Sequence, residues 1–203
     1  MNNLKQLIKL WTGPISKHEL EKPTSTLWEV LLKWIIHPVK RKTAWTYVRI
    51  LKNFFGLKII GITGSMGKTT TKDLLTSILS QDGNIISSWA NIDSVYNIPS
   101  TILRCRLNTK YLVLEMGIEY LGEMNFYTWV SPIDVAIITS VSLTHTEFLK
   151  NIKTIAFEKG QIGKHAKIVL INAQDPNITV NTKGDVIKVE PVQNIEIPML
   201  GKH

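Results

Sequence analysis

Short apolar runs alternate with amphipathic segments over most of the chain. Runs rich in β-branched residues predict five strands, at 57–63, 84–88, 111–115, 134–139 and 167–172. Helices are expected after the first strand through about residue 80, and near 98–106, 120–129 and 151–164. Strands that alternate with helices indicate a parallel sheet covered on both faces. The pattern therefore predicts an α/β fold, a three-layer domain built on a parallel sheet.

The first 57 residues follow a different pattern. The apolar run at 26–36 predicts a short helix that should stop at Pro38. A second helix is predicted over 42–55, where apolar residues recur at helical spacing, namely Ala44, Val48, Leu51 and Phe55. We therefore expect a short helical segment at 1–57 in front of a domain at 58–203.

Charge divides the chain at the same place. Residues 1–57 contain 10 Lys and Arg against 3 Asp and Glu, whereas residues 58–203 contain 14 against 13. Four of the six tryptophans also lie in the first 57 residues, at Trp11, Trp28, Trp34 and Trp45. The nearly neutral body argues against a nucleic-acid-binding protein. The basic, Trp-rich segment suits peripheral contact with a membrane surface, and packing of its helices against the body is the alternative.

Composition excludes several further classes of protein. A hydrophobic content of 44% with 20% charged residues is that of a globular protein. The single cysteine, Cys105, excludes a disulfide framework and a multi-cysteine zinc site. No membrane-spanning stretch and no secretory signal are expected. We predict a cytoplasmic monomer, with peripheral contact at the inner face of the cell membrane as a further expectation.

A glycine-rich turn lies between the first strand and its helix. Residues 61–71 read Gly-Ile-Thr-Gly-Ser-Met-Gly-Lys-Thr-Thr-Thr. Glycines let successive N–H groups curl around an anion, and the helix N-terminus adds its dipole. We expect Lys68 to neutralise the β- and γ-phosphates of a nucleotide and Thr69 to bind magnesium. The other loop residues expected to contact the nucleotide are Thr63, Gly64, Ser65, Met66, Gly67 and Thr70.

The strand at 111–115 ends in a carboxylate. In phosphate-loop proteins, a neighbouring strand commonly carries an acidic residue that holds the metal. Glu115 is therefore the candidate metal ligand opposite Thr69, and a solvated strand end is the alternative.

The loop Thr-Gly-x-x-Gly-Lys-Thr-Thr-Thr resembles that of the Mur ligases, the ATP-dependent amide-forming enzymes of peptidoglycan assembly. Further segments resemble the family in order and spacing, at 90–103, 114–124, 137–147, 155–160, 171–176 and 200–203. The resemblance covers about residues 58–203 and stops within the family's Gly-x-His-Asn segment. It leads to the expectation that the middle domain is incomplete here and that the chain alone catalyses little ligation.

The resemblance implies an acyl-phosphate mechanism. A substrate carboxylate attacks the γ-phosphate of ATP, and an incoming amine then displaces phosphate. It further implies a magnesium ion held by Thr69 and Glu115, and a second held by His145 and a carbamate formed on Lys159. Asn91 is implied to orient the substrate or the nucleotide phosphates. The residues with an implied catalytic role are Lys68, His145 and Lys159.

Within the family, the segments at 114–117 and 122–124 resemble the branch that adds D-alanyl-D-alanine to UDP-N-acetylmuramoyl-tripeptide. The implied partners are this UDP-sugar peptide and D-alanyl-D-alanine. A folylpolyglutamate or cyanophycin synthetase remains open within the same fold. From other classes, a non-catalytic nucleotide-binding scaffold for cell-wall enzymes and a phosphate-loop NTPase switch remain open, although the chain has no purine-specificity motif of a switch.

Overall fold

The computed structural model describes residues 25–89, 93–143, 149 and 151–190. Six strands form one parallel sheet in the order β2-β3-β1-β4-β5-β6. The strands are β1 Lys58–Thr63, β2 Ile85–Ser87, β3 Tyr111–Glu115, β4 Val135–Ile138, β5 Ile168–Asn172 and β6 Asp185–Val189. The predicted parallel α/β fold is confirmed. The edge strand β6, all of whose residues are exposed, was not predicted.

Helices cover both faces of the sheet. The elements are α1 Leu27–Leu31, a π-helical segment Leu32–Ile36, α2 His37–Phe55, α3 Lys68–Leu79, α4 Ser94–Ile102, α5 Glu123–Val130, α6 Ile152–Gly160 and a 3₁₀ turn Gln161–Gly163. On one face, α3 packs Leu75 and Leu79 against β1 and β3. On the other face, α2, α4, α5 and α6 enclose the larger core. The sheet is therefore the middle of three layers, and its two faces have separate cores.

The first helix is continuous from residue 27 to residue 55, so the expected stop at Pro38 is wrong. The π-helical segment ends where the N–H of His37 donates to the carbonyl of Leu32. Pro38 comes directly after this wider turn, so its missing N–H falls where the α-helical hydrogen-bond pattern is already interrupted. The helix ends instead at Gly56, which has a left-handed φ of 71°. Among the described residues, no helix is both long enough and apolar enough to cross a bilayer.

Contacts of α2 fasten it to the body. Three of its apolar side chains are buried in the larger core, Ala44, Val48 and Leu51. Its cations bind backbone carbonyls: Arg49 donates to Trp129 at 3.0 Å, and Lys52 donates to Pro132 at 2.8 Å. Basic residues of this segment thus hold the helix against the sheet layer. The division of the chain into two domains after residue 57 stays a prediction.

Asp134 joins α2 to the sheet. One carboxylate oxygen accepts from the N–H of Ile59 at 3.0 Å, and the other lies 2.9 Å from the ammonium of Lys52. Asp134 is buried, with 7% of its surface exposed. Its loss would therefore leave a buried donor without an acceptor and a cation without its counter-charge.

We expect Asp134→Ala to lower the free energy of unfolding by about 2–3 kcal/mol, because both interactions are lost. Asp134→Asn should cost less, since its amide oxygen can still accept from Ile59 and only the charge pair disappears. Urea unfolding followed by circular dichroism measures both variants. Equal losses would show that the hydrogen bond to Ile59 contributes nothing.

Candidate phosphate-binding site

The candidate site is the turn between β1 and α3. Gly64 and Gly67 have φ values of 154° and 80°, a region that glycine adopts readily and other residues rarely do. Because α3 begins at Lys68, directly after Gly67, the unpaired N–H groups of its first turn border the loop. The ammonium of Lys68 donates to the carbonyl of Gly64 at 2.8 Å and so lies across the loop. The turn therefore combines N–H donors with a fixed positive charge.

The segment that follows β4 holds this loop in shape. The Thr139 hydroxyl donates to the carbonyl of Met66 at 2.5 Å, and Ser140 Oγ accepts from the N–H of Met66 at 2.9 Å. The Ser65 hydroxyl donates to the carbonyl of Ser142 at 3.0 Å. These partners are more than 70 residues apart in the chain. Sequence reasoning predicted the loop residues but not their partners Thr139, Ser140 and Ser142, because a small polar side chain that binds a distant backbone group leaves no pattern.

Thr69 and Glu115 come together beside the loop. The Thr69 hydroxyl lies 3.1 and 3.0 Å from the two carboxylate oxygens of Glu115. The register of the sheet explains this approach, since Glu115 at the end of β3 pairs with Ile62 near the end of β1. A hydroxyl and a carboxylate are hard oxygen ligands, and this donor set fits magnesium. In the part of the chain that the structure describes, no group of three or more His, Cys, Asp or Glu is placed to bind a metal.

Two serines hold the backbone at Glu115. Ser88 Oγ accepts from the N–H of Glu115 at 3.1 Å, and Ser94 Oγ accepts from the N–H of Gly117 at 2.9 Å. Ser88 is itself held by Lys72, whose buried ammonium donates to the Ser88 carbonyl at 3.2 Å. These side chains restrict where the carboxylate of Glu115 can lie. None of the three was predicted as a site residue.

A cavity of about 210 Å³ adjoins Thr69 and Glu115. Trp89, Asn97 and Tyr127 contribute to its wall, and the Asn97 amide donates to the carbonyl of Trp89 at 2.7 Å. The cavity therefore offers space for a substrate group next to the two oxygen ligands.

Lys159 is buried in the last turn of α6, with 2% of its surface exposed. Burial lowers the pKa of its ammonium to about 7, and repulsion from Lys68 acts in the same direction. A substantial fraction of this lysine is therefore a neutral amine near neutral pH. A neutral amine is the form that reacts with carbon dioxide, so the predicted carbamate is chemically accessible here.

Glu158, the neighbour of Lys159, ties α6 to α5. Its carboxylate accepts from the N–H groups of Gly122 and Met124, each at 2.9 Å. Burial raises the pKa of Glu158, and these two hydrogen bonds oppose that rise. Because Glu158 is fixed at the start of α5, it also restrains the turn of helix that carries Lys159. This positioning role was not predicted.

Two predicted site residues, Asn91 and His145, lie outside the described residues. The structure does describe the segments close to them. Asp93 begins α4 by accepting from the N–H of Val95 at 3.0 Å, so the helix starts about four residues earlier than expected. Asp175, after β5, accepts from the N–H of Val141 at 2.6 Å and holds the segment that follows β4.

A glycine-rich turn connects a strand to the N-terminus of a helix, and the hydroxyl of Thr69 in that helix contacts the carboxylate of Glu115 on the neighbouring strand. This arrangement defines a phosphate-loop nucleotide-binding domain. Residues 62–203 match the Mur ligase middle domain. The chain belongs to this family, as its motifs predicted.

Individual relatives agree with this assignment. The UDP-N-acetylmuramoyl-tripeptide–D-alanyl-D-alanine ligase of Borreliella burgdorferi is 42% identical over 116 residues, which is 57% of this chain and 25% of that protein. The MurF ligase of Thermotoga maritima in complex with ADP has a TM-score of 0.61 at 31% identity, over 68% of this chain and 33% of that one. MurF from Acinetobacter baumannii also has a TM-score of 0.61, at 28% identity, over 67% of this chain and 31% of that one. The matched region spans about a quarter of the curated relative.

We expect Gly64→Ala to weaken nucleotide binding about ten-fold or more, because a Cβ here would lie 1.9 Å from Thr139 Oγ1 and force the loop apart. Titration with a fluorescent ATP analogue measures the affinity. Gly117→Ala is the matched control, since its Cβ meets only Ser94 Oγ, at 3.7 Å. Wild-type affinity in Gly64→Ala would contradict the described loop.

Burial of Lys159 predicts a dependence of stability on pH. Its pKa is about 7 in the folded state against an ordinary 10.5, so the unfolded state binds more protons between these values. Stability should therefore rise with pH across this interval, by roughly 1 kcal/mol per pH unit from this group. Lys159→Met should remove that contribution, whereas Lys164→Met, at an exposed position, should keep it. Urea unfolding at several pH values in buffer free of carbon dioxide measures the slopes, and identical slopes in both variants would refute the assignment.

Proposed function

We propose that this chain binds ATP with magnesium and serves in the ligation of D-alanyl-D-alanine to UDP-N-acetylmuramoyl-tripeptide. The observation that carries the proposal is the contact of Thr69 with Glu115, at 3.0 Å, beside a loop crossed by Lys68. The name of the Borreliella burgdorferi relative supports the reaction, and the ADP complex of the Thermotoga maritima relative supports the nucleotide.

In this proposal the phosphate loop orients the nucleotide. Its N–H groups and Lys68 receive the phosphate oxygens, where negative charge grows as the γ-phosphoryl group is transferred to the substrate carboxylate. Thr69 and Glu115 would hold magnesium, which supplies further positive charge at the phosphates when bound. The amine of D-alanyl-D-alanine then attacks the acyl phosphate, forms the amide bond and releases phosphate. The remaining loop residues, from Thr63 to Thr70, position the triphosphate through backbone contacts.

Lys159 has a separate role in this proposal. Its neutral amine adds to carbon dioxide, a nitrogen–carbon bond forms, and the lost proton leaves an anionic carbamate. This carbamate and His145 would hold a second magnesium ion, and Asn91 would orient the substrate. The low pKa and the burial of Lys159 support the carbamate. Labelling with ¹³C-bicarbonate followed by ¹³C NMR detects it directly.

The expectations about location, oligomeric state and membrane contact are also proposals. The substrates of this reaction favour a cytoplasmic location, and a monomer that binds no nucleic acid stays a prediction. Peripheral contact with a membrane is a separate proposal, and it rests on the first helix rather than on the nucleotide site.

We expect the chain by itself to bind ATP weakly in a magnesium-dependent way, and to release phosphate only slowly and only when both UDP-N-acetylmuramoyl-tripeptide and D-alanyl-D-alanine are present. Glu115→Gln should lower this release about 100-fold or more, because it removes the charge of a metal ligand. Asp185→Asn, at an exposed carboxylate on the edge strand β6, is the control and should behave like the wild type. A phosphate-release assay combined with mass spectrometry of the product measures both.

Other outcomes identify the alternatives. Phosphate release from ATP alone, unchanged by the two substrates, would favour an NTPase switch. Binding of ATP without any release would favour a non-catalytic scaffold. Release that requires a folate or a different peptide acceptor would place the chain in another branch of the family.

A further inference from the structure

The outer side of the first helix carries a stripe of large apolar side chains. Leu27, Leu31, Ile35 and Val39 recur every fourth residue, and two tryptophans lie among them. The apolar stripe consists of Leu27, Trp28, Leu31, Trp34, Ile35 and Val39, whose exposed fractions lie between 38% and 87%. A contiguous exposed patch of large apolar residues on a protein surface commonly marks an interaction site.

This part of the helix does not depend on the core. None of the residues of α1 is buried, whereas Ala44, Val48 and Leu51 of α2 are buried in the larger core. The start of the helix is stabilised locally by a capping box, in which Thr26 Oγ1 accepts from the N–H of Glu29 and Glu29 accepts from the N–H of Thr26. The first part of the stripe, on α1, is therefore presented by a helical segment that buries no residue in the core.

Charge and residue type indicate what covers the stripe. Residues 25–57, the described part of this segment, carry 6 Lys and Arg against 1 Asp or Glu. Tryptophan is favoured at the boundary between lipid headgroups and acyl chains, because its ring is apolar while its N–H stays hydrated. Apolar residues on one side of a basic helix are typical of segments that lie in the plane of a membrane surface. We propose that the apolar stripe docks on an anionic lipid bilayer and lies in its headgroup region.

A second copy of the chain fits this surface less well. Pairing two stripes would bring two strongly basic segments together, and like charges oppose such a contact. An anionic bilayer has the opposite charge and attracts the same segment. This proposal does not rest on the proposed function, since the nucleotide site lies on other elements of the chain.

Co-sedimentation of the full chain with lipid vesicles tests the proposal. The vesicles contain phosphatidylglycerol and phosphatidylcholine at roughly one to three, with pure phosphatidylcholine vesicles for comparison. We expect the wild type to bind the anionic vesicles, and the double variant L31E/I35E to lower the partition coefficient about ten-fold or more. The control is L107E/V186E, which adds the same two negative charges at exposed apolar residues outside the stripe.

Both double variants add two negative charges, so a difference between them reports the position of the substitutions and not the net charge. Loss of binding in L31E/I35E with retention in L107E/V186E supports the proposal. Equal loss in both variants, equal binding to the two kinds of vesicle, or no binding of the wild type would overturn it. Light scattering adds a further outcome: a wild-type dimer that L31E/I35E dissociates, without vesicle binding, would assign the stripe to a second copy. Circular dichroism, measured on every variant, reports that the domain is folded.

Discussion

The parallel pairing of β1 with β3 on one side and β4 on the other is the constraint on which the site depends. Ile62 pairs with Glu115, and Thr63 pairs with Ile138, so the chain leaves three strands at the same edge of the sheet. The end of each strand supplies a different part of the site: β1 leads into the phosphate loop, β3 ends in the carboxylate, and β4 leads into the polar segment that binds the loop. The Thr63 hydroxyl connects the ends of β1 and β3 by donating to the carbonyl of Met116 at 2.8 Å. A shift of register in either pair would separate the groups that the proposed function assigns to one nucleotide.

Electrostatics at the site is set by burial as much as by charge. Lys68 and Lys159 repel each other, and it is the buried Lys159 whose pKa falls to about 7. Lys68 is less buried and lies across the loop, where an anion would lower the cost of its charge. Burial thus gives Lys159 an amine that can lose its proton, whereas Lys68 is positioned by its hydrogen bond across the loop.

The first helix divides into two parts with different surroundings. In α2, the cations that dominate the sequence are largely engaged with the body, as Arg49 and Lys52 show. In α1 and the π-helical segment, apolar side chains remain exposed. A net positive charge in the sequence therefore does not by itself define a positive surface, because folding can direct cations to carbonyl groups. For this reason, the membrane proposal relies first on the exposed apolar stripe, and only secondarily on the charge of the segment that carries it.

The local features of this protein could be predicted from its amino-acid sequence. The order of strands and helices followed from hydrophobic period, and the phosphate loop followed from glycines next to Lys68, because backbone conformation at a glycine is a local property. The approach of Glu115 to Thr69 was also predictable, since parallel strands end at the same edge of the sheet. Contacts between distant segments and the burial of Lys159 arise only when the chain is folded. Ser88 and Thr139 bind backbone groups of other segments, and α6 buries Lys159. The continuation of the first helix past residue 38 and the presence of β6 were likewise not predictable from the sequence. Such features depend on which surfaces pack together, and a small polar residue or a lysine has the same local sequence signature whether its partner is water or a strand 70 residues away.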